Sequence, residues 1–344
     1  MPKSTRKPKQ LREPKLPKLP HLLDRKIYKT GQTRGADDDE IFQNRVGRNS
    51  TILIPYEYWG VASKPPEGED HFESGFIVLI SPQRYFKTEN MEETLASQGL
   101  KLGENMLVFY ERREDWKEFN PETQGWSPAS SRLLPLNGKY VARISATTAL
   151  DTGAIIRRGF TTTSSKGAGI RPYEYASKAT IHKCRLQLEA LFWLCVDASE
   201  VAYRYGMSVA DVSCRQEYNM RECEKYGLLD LQQLVSKRLI SKNGKTICPL
   251  CLEKVSALGF FSKVEQAEGR SVHDLTITQL NLFHVEELRI GRYGHRQYNL
   301  GWGHHHCNVV VKDSGIDETL IWMTDVVDRN IDEGYIVPKS KGAS

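Results

Sequence analysis

Two short ligand pairs, "ICPLC" at 247–251 and "HHHC" at 304–307, constrain this chain more than any other feature. Cys248 and Cys251 are spaced so that two thiolates can point at one ion from a tight knuckle. His304 and Cys307 repeat that spacing after 52 intervening residues. A single C-x-x-C is equally a redox pair or an accident, but two such pairs make a Cys3His tetrahedron suited to Zn2+. A filled site of this kind is structural, because no position is left for water. His305 and His306 are then surplus to the zinc. The chain has seven cysteines, an odd count that favours metal over a disulfide framework and a reducing compartment over an oxidising one.

With 344 residues, 39% of them hydrophobic, the chain can build two or three domains around real cores. Its mean hydropathy of −0.50 points to a polar, open architecture. No apolar run approaches 18 residues, so no membrane span is expected, and the N-terminus lacks a signal-peptide core. The net charge is +5, yet residues 1–30 hold ten Lys or Arg against two acids, leaving the remainder near −3. Prolines between the cations of "KSTRKPKQLREPKLPKLP" argue for a basic disordered arm, followed by an acidic linker, "GADDDE", up to residue 40. Such an arm is either a solubilising tail or a contact to an acidic polymer.

Four β-type runs follow: "TILIP" (51–55), "FIVLI" (76–80), "MLVFY" (106–110) and "KYVARI" (139–144). A short helix, "NMEETLASQGL", ends at Gly99 between the second and third. These read as a mixed α+β domain whose topology the pattern leaves open. The segment 157–178 joins Arg157, Arg158, Lys166 and Arg171 to Ser, Thr and Gly, a composition suited equally to phosphate contact and to a solvated loop. Residues 180–240 are helical: a long helix with apolar positions at Ile181, Cys184, Leu188, Leu191, Phe192 and Cys195 that ends at Gly206, a second at 209–225 and a third at 228–239.

Between the two ligand pairs lies His284, at the end of an apolar strand-like run. Asn299 stands 15 residues later, and Asn308 nine after that, directly behind the last zinc ligand. Here the sequence resembles the HNH, or ββα-metal, nuclease family. In that family a zinc knuckle precedes a strand with a catalytic His, then a hairpin loop with the middle Asn, then N-L-x-x-L-C-x-x-C-[NH] leading into a helix. The last piece reads "NLGWGHHHCN" here, with His304 in place of a cysteine. The resemblance implies His284 as general base with a pKa near the working pH. It implies that Asn299 holds the hairpin loop and the imidazole tautomer, and that Asn308 is a ligand of a catalytic Mg2+. Arg289, Arg292 or His295 would hold a phosphate.

The family has Asp or His before the catalytic histidine, whereas this chain has Phe283. Glu286, Glu287 and Asp313 are candidates to complete the catalytic ion. The whole chain is similar to type II restriction endonucleases with a C-terminal HNH site, the BstXI-type group in particular. No P-D…[DE]-x-K site assembles from "NPETQ" or "ECEK". The fold this implies is α+β: the basic arm and linker (1–40), a mixed α/β DNA-recognition domain (41–178), a helical segment (179–243) and a zinc-stapled HNH nuclease domain (244–344). The implied partners are double-stranded DNA, a second copy in a homodimer that cuts one strand per subunit, and a paired DNA methyltransferase, all in a bacterial cytoplasm. The alternatives are a non-catalytic zinc-containing DNA-binding protein and a homing-type or modification-dependent HNH nuclease.

Overall fold

The computed structural model describes residues 16–337 apart from 33–40, 43–45, 131–133, 145–154, 160–167, 267–269 and 272–277. The basic run up to residue 15, the acidic linker at 35–40 and Lys166 lie outside the described residues.

The four expected strands form one sheet. β1 (Ile52–Pro55), β2 (Phe76–Ile80), β3 (Met106–Tyr110) and β4 (Tyr140–Ala142) lie side by side in chain order, every neighbouring pair parallel. Their continuous apolar runs follow from burial on both faces. On one face Ile52, Ile54, Val78, Ile80, Met106, Val108 and Tyr110 pack against Tyr85, Met91, Leu95 and Trp116. Those residues come from the crossovers, which hold α2 (Trp59–Ala62), α3 (Pro82–Lys87), α4 (Met91–Ser97) and α5 (Arg113–Glu118). On the other face Leu53, Ile77, Leu79, Leu107 and Val141 are covered by Ile41, Ala129 and Ala168. The segment read as a phosphate loop returns here: Ile170 exchanges backbone hydrogen bonds with Thr51 and Leu53 at the β1 edge. Only glycine fits at 169, where a Cβ would run into the Thr51 carbonyl.

The basic arm expected to be disordered is ordered from His21 on. Residues His21–Lys29 form α1, and Leu19, Leu23 and Ile27 enter the second core. The prolines stop at Pro20, and beyond it Leu23 and Ile27 stand four apart on one helical face. Lys26, also buried, donates to the Leu280 carbonyl at 2.7 Å. The long helix expected to end at Gly206 is two helices, α6 (Lys178–Trp193) and α7 (Ala198–Arg204). Distant chain causes the break. Thr246 takes the Leu191 and Leu194 carbonyls, and the Asp197 carboxylate accepts from Ser256 and the Ala257 N–H. α8 (Val209–Lys225) starts in a Ser208–Asp211 capping box, and α9 (Leu231–Ser236) follows.

After a two-residue ladder, β5 (Glu265–Gln266) with β6 (Arg270–Ser271), come antiparallel β7 (Leu280–His284) and β8 (Leu300–His304), then α10 (His305–Val311) and α11 (Ile316–Asp332). The helical segment and this C-terminal part share one core, which joins Leu188, Leu191 and Phe192 to Cys248, Phe260, Phe283, Trp302 and Cys307. The line drawn at 243 therefore separates no cores. Trp302 donates to the Leu188 carbonyl at 2.8 Å and the Tyr298 N–H donates to Gln187 at 2.7 Å, fixing the hairpin on α6. No helix among the described residues is long and apolar enough to cross a membrane.

Candidate active site

The zinc ligands meet. One donor atom each from Cys248, Cys251, His304 and Cys307 lies within 4.8 Å of the others, and His304 Nδ1 is 3.3 Å from Cys251 Sγ. Cys248 and Cys251 sit in a tight turn in which the Leu252 N–H donates to the Cys248 carbonyl and Leu252 takes a left-handed φ of 62°. His304 ends β8 and Cys307 lies in the first turn of α10. Burial and then the neighbouring sulfurs push the Cys307 thiol pKa up. That cost disappears if a cation takes the thiolates. Three sulfurs and one imidazole nitrogen at this spacing fit a tetrahedral zinc. His306 stacks on His304 with ring centres 5.5 Å apart, and His305 Nδ1 lies 2.9 Å from the Asn281 amide nitrogen. Neither belongs to the cluster.

His284 closes β7 opposite Leu300, and the chain then loops out through 285–299 before β8. Asn299 clasps that loop: its Oδ1 accepts the Glu286 N–H at 2.8 Å and its Nδ2 donates to the Gly294 carbonyl at 2.6 Å. Both amide bonds go to backbone, and neither reaches the imidazole. α10 packs back along the hairpin. Leu288 N–H donates to the Asp313 carbonyl and Ile316 N–H to the Val285 carbonyl. Asn308 is half-buried one turn into this helix, and its side-chain amide has no hydrogen bond among the described residues.

The His284 side chain is half-buried as a whole, but its Nε2 is sealed from solvent and has no protein partner. Burial, and then the charge of Arg48, lower its pKa to about 3. This corrects the expected value near the working pH: the imidazole is unprotonated, as a base must be, but weakly basic. The other expected groups divide. Glu286 is not free to ligate, because Lys237 and Arg296 each hold one of its oxygens at 2.6 Å. Partial burial raises its pKa, and those two cations outweigh that and bring it below the ordinary range. Glu287 pairs with Arg289 at 3.3 Å, and Asp313 is exposed. His295 is no exposed phosphate contact, since its side chain is 1% exposed, and burial drives its pKa well down. Phe283 is wholly buried in the core.

A cleft of about 580 Å³ opens beside the loop, lined by Glu286, Glu287, Arg292 and Arg296 and, from the sheet side, Glu67 and Tyr175. Of the phosphate-contact residues singled out in the sequence, Arg292 and His295 are the ones among the described residues that line it. Arg157 pairs with Glu122 at 3.5 Å, Arg158 donates to the Ile144 carbonyl, and Arg171 lies over the Phe42 ring and beside Glu174. The sequence reading missed Arg48 and Arg296. Arg296 had a signal, a second cation in the hairpin loop. Arg48 had none, because its charge is felt by the two histidines only once the chain before β1 has folded against the C-terminal hairpin.

The buried histidines have a consequence for stability. An ordinary His titrates near 6.5, so between that pH and about 3 the unfolded chain binds a proton at residue 284 that the folded chain refuses. Stability is therefore intact above 6.5 and is lost as the pH falls through that window. Melting temperatures measured from pH 7.5 down to about 4.5 should drop, and His284→Asn should flatten the slope. A flat wild-type profile would contradict the burial.

A protein-family model described as the BstXI restriction endonuclease matches residues 25–305. The match takes in the sheet, α6–α9, the first zinc pair, His284 and Asn299, and stops short of Cys307 and Asn308. No curated protein matches the chain. Among solved structures, one titled as the crystal structure of a type II restriction endonuclease aligns at 15% identity and a TM-score of 0.28. That alignment covers 46% of this chain and 57% of the other, too slight a likeness to carry an argument. The family match spans well over half the sequence, and on that ground the chain belongs to the BstXI restriction endonuclease family.

Proposed function

We propose that this protein is a type II restriction endonuclease that hydrolyses both strands of duplex DNA at a specific site through an HNH centre. The observation that carries this reading is the strand–loop–strand–helix unit of β7, β8 and α10. It sets His284 on one strand, clasps the loop with Asn299 and offers the unpaired Asn308 amide from the helix. The family match supports the substrate class.

In this reading the neutral imidazole of His284 takes a proton from the attacking water at its solvent-facing nitrogen. Asn308, with the scissile phosphate, would hold a divalent ion such as Mg2+. A single protein oxygen suffices for a cation that keeps its waters and binds largely through phosphates. When bound there, such an ion supplies Lewis-acid stabilisation of the leaving 3′ oxygen. Arg292 and Arg296 on the cleft wall are placed to meet the phosphate backbone, and the Cys3His zinc holds the helix against the hairpin. A homodimer would present two centres to the two strands of a symmetric site, and a host using such an enzyme needs a methyltransferase to protect its own DNA.

Incubation with mixed plasmid DNA and Mg2+ tests this. Wild type should give discrete bands and His284→Ala none, a loss of at least about 10³-fold for removal of a general base. The buried Phe283 and the ion-paired Glu286 favour a second reading, a zinc-containing DNA-binding protein without activity. Binding without cleavage by the wild type would establish that reading instead, and a smear would indicate a nuclease without sequence preference.

A further inference from the structure

Asn299 cannot hold the tautomer of His284, since both of its amide bonds go to the loop backbone. One of them fixes Gly294, the residue immediately before His295. That histidine is 1% exposed, and neither of its ring nitrogens has a protein partner. Its ring centre lies 6.0 Å from that of His284, with the planes at 54°. His284 Nε2 is the third sealed, unpartnered ring nitrogen, whereas His284 Nδ1 is not among the sealed atoms. Buried polar atoms are paired in the great majority of native proteins, so sealed nitrogens on two neighbouring rings point to a link between the rings. A direct N–H···N contact would put the rings about 5 Å apart, and one bridging water about 6 Å.

We propose that His295 is the positioning residue for His284. His284 Nε2–H donates to a bridging water, the water donates to a ring nitrogen of His295, and His284 Nδ1, which is not among the sealed atoms, is thereby left unprotonated toward solvent. This rests on the reading of His284 as the base. When the attacking water gives up its proton, the O–H bond breaks and an N–H bond forms at Nδ1. The hydroxide bonds to phosphorus as the P–O3′ bond breaks and its electron pair leaves on the 3′ oxygen, and the proton at Nε2 stays where it was. The tautomer on one nitrogen is set by the hydrogen bond at the other. Asn299 then contributes indirectly, by clasping the loop that brings His295 under the base. The charged groups felt at the pair are Arg48, before β1, and Arg185, on α6. Both are cations, and both favour keeping the two rings neutral.

The test uses the full-length, zinc-loaded protein and a plasmid that the wild type cuts. His295→Phe keeps a ring in the space and removes both nitrogens. It should slow single-turnover cleavage by about 10²-fold, the usual scale for loss of an orienting partner, with zinc content and plasmid binding in Ca2+ unchanged. His295→Gln returns polar atoms to the space and should recover at least about 10-fold of that loss. The acid limb of the pH–rate profile should move in His295→Phe and return toward wild type in His295→Gln. Independently of cleavage, imidazole ¹⁵N spectra of the wild type should show His284 as a single tautomer protonated at Nε2. Wild-type rates in His295→Phe, equal losses in the Phe and Gln variants, or a mixed His284 tautomer in the wild type would each overturn the proposal. If His295→Phe fails to fold, the wild-type spectrum and the Gln variant decide. If His284→Ala cuts normally, the base assignment fails while the spectrum still reports on the pair.

Discussion

Stripping the Cys3His site of its ion is expected to unfold the C-terminal half of the molecule rather than merely loosen a loop. Cys248 and Cys307 belong to the same core as Phe192, Phe260, Phe283 and Trp302, and their side chains are 0% and 3% exposed. Without a cation these thiols are polar groups in an apolar setting, and packing alone joins the knuckle to α10 among the described residues. Structural zinc sites bind with about 10–16 kcal/mol, comparable to the whole stability of a domain, about 5–15 kcal/mol. Purified protein should hold one zinc per chain by mass spectrometry of metals. Cys248→Ser and Cys307→Ser should lose it and lower the melting temperature by more than about 10 °C. His306→Ala, which removes only the ring stacked on His304, should keep the ion. A metal-free wild type that melts normally would end the zinc assignment.

The two ligand pairs were legible because metal chemistry fixes both residue types and spacing. The clasp that Asn299 makes on the hairpin loop was legible because the HNH-like pattern places that residue by count. Strand positions were equally plain, since "FIVLI" and "MLVFY" are apolar throughout and become β2 and β3 residue for residue. The parallel order was not, because a strand buried on both faces carries no mark of which neighbour it takes. The break between α6 and α7 is written 50–60 residues away, in Thr246, Ser256 and Ala257. α1 was hidden by charge: ten cations in 30 residues read as a tail, while Leu23 and Ile27 alone signal a buried face. At the site, His295 stands among Gly294, Arg296 and Tyr298 and so reads as a solvated loop residue. It is buried because Asn299 pulls Gly294 inward, a tertiary fact with no local trace.

Phe283→Asp, which would put before His284 the kind of metal ligand that HNH nucleases carry there, is expected to cost the fold and yield no better enzyme. The Phe283 ring has no exposed surface, and it lies against Gly303 across the hairpin so closely that a Cβ at 303 would overlap it. Deleting such a ring costs about 3–5 kcal/mol. Leaving a carboxylate in its place adds the penalty of an unpaired buried charge, of several kcal/mol. Together these approach or exceed the stability of an ordinary domain, about 5–15 kcal/mol. The variant should be insoluble or melt far below wild type, whereas Phe283→Leu should fold, retain zinc and cleave within about 10-fold of wild type. The strand cannot turn Phe283 to the other face alone, because a one-residue shift of register would carry His284 into the core in its place. Position 283 is part of the core that α6, the Cys3His cluster and the hairpin share, so in the proposed HNH reading a catalytic ion would be completed from elsewhere. A soluble Phe283→Asp protein that melts like wild type and cuts faster would show that the side chain faces the ion after all.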